Sequence, residues 1–399
     1  MNKRVVLISS GQPSLNPRLI KEADALQDAG YNVIVIYQFW NMWATVFDEK
    51  LFLEKKWTAI RVGGSPIIGR FIYHLTRIVF KFSKILNNLG ITYFDDFAIT
   101  RSSFLLTRAA KKNTADLYIA HNLGALPAAF KASRKNRSKF GFDAEDFHRL
   151  ETNVEEHSST FLLKKQIEDK YIPFSDYLTT SSPQISALYQ GLYPTIAPFT
   201  ILNVCSEVTV NKTIAKRPVK IFWFSQTIGP NRGLEVLFDA LSMISSSDYE
   251  IHLLGNPNPM FLSNLNENVK PIIYSPIAST EIITFASRFD IGIAGEPAFS
   301  FNNDNALSNK IFSYLSAGLA IIASDTTAQA DFINMYPNVG TLYSKNSIQD
   351  LYGVISNYIY DVDKLEGTKL ASFNLSQTHL NWETEREKFI SIVNKTLGI

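Results

Sequence analysis

Short apolar runs alternate with longer amphipathic stretches along most of this chain. At the start, apolar runs at 5–9 and 31–37 predict two strands, and residues 18–29 between them predict a helix with one apolar face. Asn16 is placed to cap that helix, and Pro17 stands at its first position, where helices favour proline. The order predicts a strand–helix–strand unit of an α/β fold, with further strands at 117–120, 140–143, 177–180 and 201–204.

A polar stretch at 208–217 interrupts this alternation, which then restarts. We interpret it as a linker between two doubly wound, Rossmann-like domains, 1–207 and 218–376, followed by an amphipathic helix at 377–399. Because open parallel sheets bind ligands at the carboxyl ends of their strands, we expect both domains to face one cleft. The strands predicted in the second domain are 219–224, 251–254, 271–274, 291–294, 320–323 and 341–343.

The composition indicates a folded protein with more than one core. The chain has 399 residues, of which 46% are hydrophobic and 19% charged, so a largely disordered chain is excluded. The only cysteine, Cys205, forms no intramolecular disulfide, and the first apolar run is shorter than the core of a signal peptide. We therefore expect a cytoplasmic protein.

The net charge of +2 conceals a basic region. Residues 66–139 include 13 Lys or Arg and three Asp, so they carry +10 and the rest of the chain −8. Within this region, 66–90 has no acid, and its basic residues recur at helical spacing among apolar ones. We expect a helix there that lies on an anionic membrane surface, peripheral to the inner face of the cell membrane. The alternative is a helix buried against the N-terminal sheet with its basic stripe in water.

The most informative segment is 306–325, where a polar loop opens a short helix that leads into a buried strand. Ser308 and Asn309 are common helix-capping residues, so free N–H groups and the positive helix end should meet there, and Lys310 adds a charge. This pattern predicts a phosphate site. An ordinary capped helix is the alternative.

A second candidate phosphate site follows the predicted strand 219–224. Gly229 lies in a Gly-Pro turn, and Arg232 stands just before the next helix. The alternative is a solvated surface arginine. The chain has no GxGxxG fingerprint in a strand–turn–helix context and no Walker A motif, which counts against a nicotinamide enzyme.

Both segments resemble parts of the family 4 retaining glycosyltransferases, which have the GT-B fold. Asn305 and Ser313 stand where that family has two Glu in its nucleotide-sugar segment. Arg232 takes the Lys position of the family's Gly-Arg…Lys-Gly element, whose two cations hold the donor diphosphate, and Gln226 takes the Arg position. The sequence is therefore similar to a divergent branch of the family.

Two segments of the first domain resemble the same family. Residues 121–127 are similar to its His-Asp-x-x-x-Leu-Pro segment, so His121 is a candidate for hydrogen bonding or proton transfer, or else caps the next helix. Residues 142–148 are similar to its Asp-Ala-His-Glu segment, with Glu145 in place of the His; Glu145 either steadies developing positive charge or stays in water. Glu296, at a strand end, is the nearest carboxylate to replace the first missing Glu.

The resemblance covers most of the chain and implies a hexosyltransferase that moves a sugar, with retention, from a nucleoside-diphosphate sugar to a glycan or lipid-linked acceptor. No metal and no separate cofactor are expected, because cations and helix ends can take up the leaving charge. The alternatives are a non-catalytic sugar or nucleotide binder and a GT-B-fold sugar-nucleotide epimerase; without a recognised reading module, nucleic acid is not an expected partner. The implied catalytic residues are Glu145, His121 and Glu296, and the implied donor-binding residues are Gly229, Arg232, Asn305, Ser308, Asn309, Lys310 and Ser313.

Overall fold

The computed structural model describes residues 3–153, 155–210 and 214–399. Contacts divide the chain into an N-terminal unit, which ends at Ile201 and takes in Arg386–Ile399, and a C-terminal unit, Leu202–Glu385. The sequence placed these boundaries at 207/208 and 376/377. Of the predicted linker 208–217, residues 211–213 lie outside the described residues, and the others form neither helix nor strand.

The N-terminal unit contains a parallel sheet whose strand order reverses beside its first strand. Its strands are β1 (Arg4–Ser9), β2 (Asn32–Gln38), β3 (Thr58–Val62), β4 (Leu117–His121), β5 (Lys139–Ala144), β6 (Tyr177–Thr180) and β7 (Phe199–Thr200). The order is β3-β2-β1-β4-β5-β6-β7, which is that of a doubly wound sheet. Its helices are α1 (Pro17–Asp28), α2 (Met42–Phe52), α3 (Arg70–Asn88), α4 (Asp95–Ala98), α5 (Ser103–Lys112), α6 (Leu126–Asn136), α7 (Ser159–Tyr171) and α8 (Pro183–Leu192).

The C-terminal unit repeats this architecture. Its strands are β8 (Val219–Ile228), β9 (Tyr249–Pro257), β10 (Ile272–Tyr274), β11 (Ile291–Ala294), β12 (Ala320–Ser324) and β13 (Gly340–Tyr343), in the order β10-β9-β8-β11-β12-β13. Its helices are α9 (Leu234–Ser242), α10 (Pro259–Leu262), α11 (Ile282–Ala286), α12 (Phe301–Asn305), α13 (Asn309–Ala317), α14 (Thr327–Met335), α15 (Ile348–Tyr360) and α16 (Val362–Thr378). The last helix, α17 (Trp382–Leu397), begins in this unit, and its residues from Arg386 onward belong to the N-terminal one.

Each face of the C-terminal sheet carries its own apolar core. Alternate residues of β8 point to opposite faces, so Ile221 and Trp223 lie in one core and Phe222 lies in the other. All six strands of this sheet pair in parallel. Parallel sheets covered on both faces are typical of α/β proteins, and their strands read as apolar runs.

Most predicted elements are confirmed, but the strand predicted at 201–204 is wrong and the strand β3 was not predicted. Asn16 caps α1, because its side chain accepts a hydrogen bond from the N–H of Leu19 at 2.9 Å. Residues 201–204 form no strand; they are apolar because Ile201 and Val204 are buried, and the strand β7 lies just before them. The sequence missed β3, whose residues are all exposed or half-buried, so no apolar run marks it. Among the described helices, none combines the length and the hydropathy that crossing a bilayer requires.

Candidate functional site

Three elements of the C-terminal unit meet at the carboxyl ends of β8 and β11. The loop from Gly229, which is buried, leads to Gly233, the N-cap of α9, with a φ of 73°. A Cβ atom on Gly233 would lie 2.1 Å from the carbonyl oxygen of Gly295, the residue after β11. Glycine alone tolerates both that backbone conformation and that approach. The loop therefore lies directly against the end of β11 and brings Arg232 to it.

The backbone at the end of β11 is held by buried hydrogen bonds. Ser324 Oγ donates to the carbonyl oxygen of Glu296 at 2.7 Å, and Gln329 Nε2 donates to that of Ala294 at 3.1 Å. Both donor residues are fully buried. Buried hydrogen bonds of this kind hold the backbone at the end of β11, so the Glu296 side chain starts from a fixed position.

The Glu296 carboxylate is buried and accepts from three donors. Lys310 Nζ lies 2.7 Å from Oε1, Ser308 Oγ donates to the same oxygen at 2.8 Å, and Asn303 Nδ2 donates to Oε2 at 3.3 Å. We call these four residues the C-terminal cluster. Burial by itself raises the pKa of Glu296, but the charge of Lys310 and the three hydrogen bonds outweigh it and lower the pKa to about 2. Glu296 is therefore ionised at neutral pH and neutralised by Lys310.

Helix α13 begins beside this cluster. Ser308 is its N-cap residue by backbone position, as predicted, yet its side chain donates to Glu296 and makes no capping hydrogen bond. The next residue, Asn309, is exposed. The N–H of Ile311 donates to the Ser308 carbonyl at 3.0 Å, which leaves the N–H groups of Asn309 and Lys310 without an acceptor among the described residues. This end therefore combines two donors with the positive end of the helix dipole. An anion can bind in this position.

The two predicted phosphate-binding cations have different surroundings. Lys310 is 8% exposed, is paired with Glu296, and lies 5.8 Å from the ring centre of Trp223. Arg232 is half-buried and makes no hydrogen bond or ion pair with another described residue. Arg232 can give its full charge to a ligand, whereas Lys310 shares its charge with Glu296.

Asn305 and Ser313 make hydrogen bonds to their own helices. Asn305 ends α12, and its Nδ2 donates to the carbonyl oxygen of Phe301 at 2.8 Å. Ser313 is half-buried on α13, and its Oγ donates to the carbonyl oxygen of Asn309 at 3.2 Å.

A second ionic cluster lies in the N-terminal unit, at the carboxyl ends of β4 and β5. His121 Nε2 lies 3.2 Å from Glu22 Oε2, and its Nδ1 lies 3.3 Å from Asp143 Oδ2. Arg18 Nε lies 2.8 Å from the same Asp143 oxygen and 3.5 Å from Glu22 Oε1. These four side chains, the N-terminal cluster, are 0% to 3% exposed. His121, the candidate for hydrogen bonding or proton transfer, is enclosed by its charged partners.

The neighbouring charges set the protonation of the N-terminal cluster. Burial by itself lowers the pKa of His121, but Glu22 and Asp143 outweigh it and raise the pKa to about 9. Burial by itself raises the pKa of Asp143, yet Arg18 and His121 hold it well below its usual range. Burial and the repulsion of Asp143 raise the pKa of Glu22. Two basic side chains therefore face two carboxyl groups.

The N-terminal cluster also contains three potential metal ligands. Glu22, His121 and Asp143 place ligand atoms within 4.8 Å of one another. The guanidinium of Arg18, however, already lies against both carboxyl groups and supplies a positive charge between them. This favours a structural ionic cluster over a metal site.

Glu145 follows β5, two residues after Asp143. It is half-buried, its carbonyl oxygen accepts a hydrogen bond from Ser181 Oγ, and its charge acts on Arg18. The structure thus places Glu145 at the edge of the N-terminal cluster and His121 inside it.

The sequence did not identify Arg18 and Glu22 as site residues. They stand four positions apart on α1, so both lie on one face of that helix, and the structure buries this face. The sequence does show that Arg18 and Glu22 are oppositely charged, four positions apart, and next to the apolar face of a well-capped helix. Surface helices carry the same signal, and it does not reveal burial.

No protein-family model matches the sequence, and no curated protein does either. Solved structures do match. A glycosyltransferase from Rickettsia africae superposes with a TM-score of 0.68 at 15% identity, covering 100% of this chain and 99% of that one. HepE from Anabaena, in complex with UDP and glucose, superposes with a TM-score of 0.70 at 14% identity, covering 99% of this chain and 100% of HepE. A TarM mutant from S. aureus, in complex with fondaparinux, α-GlcNAc-glycerol and UDP, gives 0.69 at 11% identity, covering 98% and 100%. The chain has the GT-B fold of these glycosyltransferases, with two Rossmann-like domains, which confirms the predicted fold class.

Proposed function

We propose that this protein transfers a sugar from a nucleoside-diphosphate sugar to a glycan or lipid-linked acceptor, and that its C-terminal unit binds the donor. The observation that carries the proposal is that the loop of Arg232 lies against the end of β11 through Gly233, and that α13 begins beside the same strand end. Phosphate needs positive charge and N–H donors, and this arrangement offers both. HepE, which shares the fold, has been solved with UDP-glucose.

In the proposed complex the diphosphate lies between Arg232 and the N–H groups at the start of α13. Lys310 lies below this position and contributes positive charge, although it is also paired with Glu296 and holds that side chain in place. Transfer with retention releases a nucleoside diphosphate, and these groups take up its charge without a metal ion. Asn309 and Ser313, on successive turns of one helix face, are the candidates for contact with the nucleoside.

Glu145 is our candidate for steadying the positive charge that develops on the sugar. It is half-buried at a strand end and carries the one carboxylate among our N-terminal candidates that is not enclosed. His121 is enclosed by its partners, so we assign it a positioning role, in which it holds Asp143 and the start of the Glu145 loop in place.

Calorimetry with UDP, GDP and ADP tests the donor site. We expect Arg232→Ala to weaken binding of the preferred nucleotide by about 1.5–3 kcal/mol, or roughly 10- to 150-fold, because a charge-assisted contact is lost. Arg288→Ala, which changes an exposed arginine of the same unit, is the matched control and should bind like the parent. Equal affinity of Arg232→Ala and the parent would remove the proposed site.

Transfer measured in EDTA tests the metal-free mechanism separately. We expect activity to persist. Loss with chelator and recovery with magnesium or manganese would show that a metal takes up the charge, while leaving the nucleotide site intact. Glu145→Gln should lower turnover more than nucleotide affinity.

A non-catalytic nucleotide-sugar binder is the second candidate. It is favoured by Lys310, whose charge is already balanced, and by Asn305 and Ser313, which stand where the resembled family has Glu. Tight nucleotide-sugar binding without turnover, in the presence of acceptor, would establish it. A product formed from the nucleotide sugar alone would indicate an epimerase.

A further inference from the structure

Helix α3 buries two small polar side chains and exposes several of its large apolar ones. Thr76 and Ser83 are 0% and 2% exposed. Four apolar side chains of the same helix and that of Leu89, the residue directly after it, are between 56% and 78% exposed, which reverses the usual arrangement. We call these five the apolar face: Phe71, Ile78, Phe82, Ile85 and Leu89.

The apolar face is one continuous stripe. With 3.6 residues per turn, its five residues fall within an arc of about 60° and run the length of the helix. At its N-terminal end, Ile67 and Ile68 are 68% and 66% exposed in a turn that Ser65 closes, because Ser65 N–H donates to the Ile68 carbonyl at 2.7 Å. Contiguous exposed apolar surface of this kind marks an interaction site.

Basic residues border this stripe on one side. Arg70, His74, Lys81 and Lys84 are exposed and fall within an adjacent arc of about 80°; we call them the basic edge. Arg77 is half-buried, with its guanidinium 3.4 Å from the ring centre of Tyr73. No Asp or Glu occurs from 66 to 94.

The nearest acids do not neutralise the basic edge. Asp95 and Asp96 follow directly in sequence, but they are 4% and 6% exposed. Asp96 is engaged by Lys131 and Lys170. The basic edge is therefore left to attract an external anion.

We propose that α3 docks this protein on an anionic lipid bilayer, with the apolar face among the acyl chains and the basic edge at the headgroups. The apolar face matches the acyl-chain layer of such a bilayer, and the basic edge along its side matches the anionic headgroups above that layer. A second copy of the chain fits less well, because an antiparallel two-fold contact of α3 brings the two basic edges together, and a parallel one gives neither edge an acid from 66 to 94 of the other copy. The proposal does not depend on the proposed sugar transfer.

Co-sedimentation of the full-length protein with vesicles tests the proposal without any nucleotide. We expect binding to phosphatidylcholine vesicles that contain phosphatidylglycerol, weaker binding to pure phosphatidylcholine, and weaker binding at high salt. Equal binding to the two vesicle types, or binding to neither, would overturn the proposal.

Two variants with matched controls locate the surface. Arg70→Glu/Lys81→Glu/Lys84→Glu should lower partitioning by at least about 100-fold, since each cation contributes roughly fivefold. Arg108→Glu/Lys112→Glu/Lys135→Glu makes the same charge change at exposed positions of the same unit and should stay within about tenfold of the parent. Equal losses in the two variants would indicate net charge alone and overturn the proposal.

The apolar face is tested by Ile78→Ser/Phe82→Ser/Ile85→Ser, which leaves the basic edge intact. We expect at least about 10-fold weaker binding, whereas Met260→Ser/Met335→Ser, at exposed positions of the C-terminal unit, should bind like the parent. Thermal unfolding should be preserved in both, because the altered side chains are exposed. If the parent is a dimer without vesicles, and the triple variant is a monomer, the face belongs to a second copy and the proposal fails.

Discussion

The two ionic clusters occupy equivalent places in two similar sheets, yet they differ in what surrounds them. The N-terminal cluster is closed: Arg18, His121 and their two carboxyl partners are at most 3% exposed and neutralise one another. The C-terminal cluster is partly open: Glu296 and Lys310 are each 8% exposed, and half-buried Arg232 lies at the same strand end.

This difference indicates a division of labour. A closed cluster can hold strand ends in place but has no surface for a ligand. The open cluster has a fixed ion pair between Glu296 and Lys310. Next to it lie Arg232 and the start of α13, and a phosphate site requires a cation and helix N–H donors of this kind. Position at a strand end therefore does not by itself make a residue functional, and the predictions below test whether the two clusters differ in this way.

The largest expected effect concerns the closed cluster. Arg18→Met roughly keeps the volume but removes one of the two cations that face the buried Glu22 and Asp143, so we expect a loss of about 3–5 kcal/mol in the free energy of unfolding. Lys165→Met, which breaks a half-exposed ion pair with Asp169, should cost less than about 0.5 kcal/mol. Urea denaturation measures both. A cost below about 1 kcal/mol for Arg18→Met would contradict the buried cluster.

The open cluster should show strong coupling between its two charges. Lys310→Met leaves Glu296 buried and unbalanced, and we expect a loss of about 2–4 kcal/mol. Adding Glu296→Gln should restore part of it, with a coupling energy of about 1.5–3 kcal/mol in a double-mutant cycle. Additive effects would show that the pair is not coupled in solution.

The approach of Gly233 to β11 should be sensitive to a single methyl group. Gly233→Ala forces a positive φ and a contact with the Gly295 carbonyl, so we expect about 1–3 kcal/mol lower stability and weaker UDP binding. Gly353, within α15, is the control: a Cβ there meets nothing within 4 Å, and Gly353→Ala should stabilise by about 0.5–1 kcal/mol. Thermal unfolding measures the effect on stability, and calorimetry measures the effect on UDP binding. Unchanged nucleotide affinity in Gly233→Ala would show that this loop is not part of the nucleotide site.

The smallest expected effect is a loss of stability at alkaline pH, to which the closed cluster contributes through His121. The pKa of His121 is about 9 in the folded protein, above its ordinary 6.5, so the folded state binds this proton more tightly than the unfolded chain. Its stabilising contribution is complete below pH 6.5 and is lost as the pH rises through about 9. In His121→Gln, the free energy of unfolding should fall by about 1–2 kcal/mol less than in the parent over this pH range. An identical decline in parent and variant, measured by urea denaturation at several pH values, would contradict it.

Features that depend on neighbours along the chain were predicted from the sequence. Asn16 and Pro17 define the start of α1, the apolar runs identify most strands, and basic residues at helical spacing identify α3. These signals come from local hydrogen bonding and periodicity, which act over a few residues. The edge strand β3 lacked an apolar run and was missed for the same reason.

What the tertiary structure alone decided is which charges meet and which face is buried. Arg18 and Asp143 are 125 residues apart in sequence, and nothing local in either segment reveals their contact. Spacing predicted that α3 has a basic stripe, but its packing decided that Thr76 faces inward and Phe82 faces outward. The sequence by itself determined the two α/β units and the loops that can hold an anion. Because burial and long-range pairing depend on how the whole chain packs, only the folded structure separated the closed cluster from the open one.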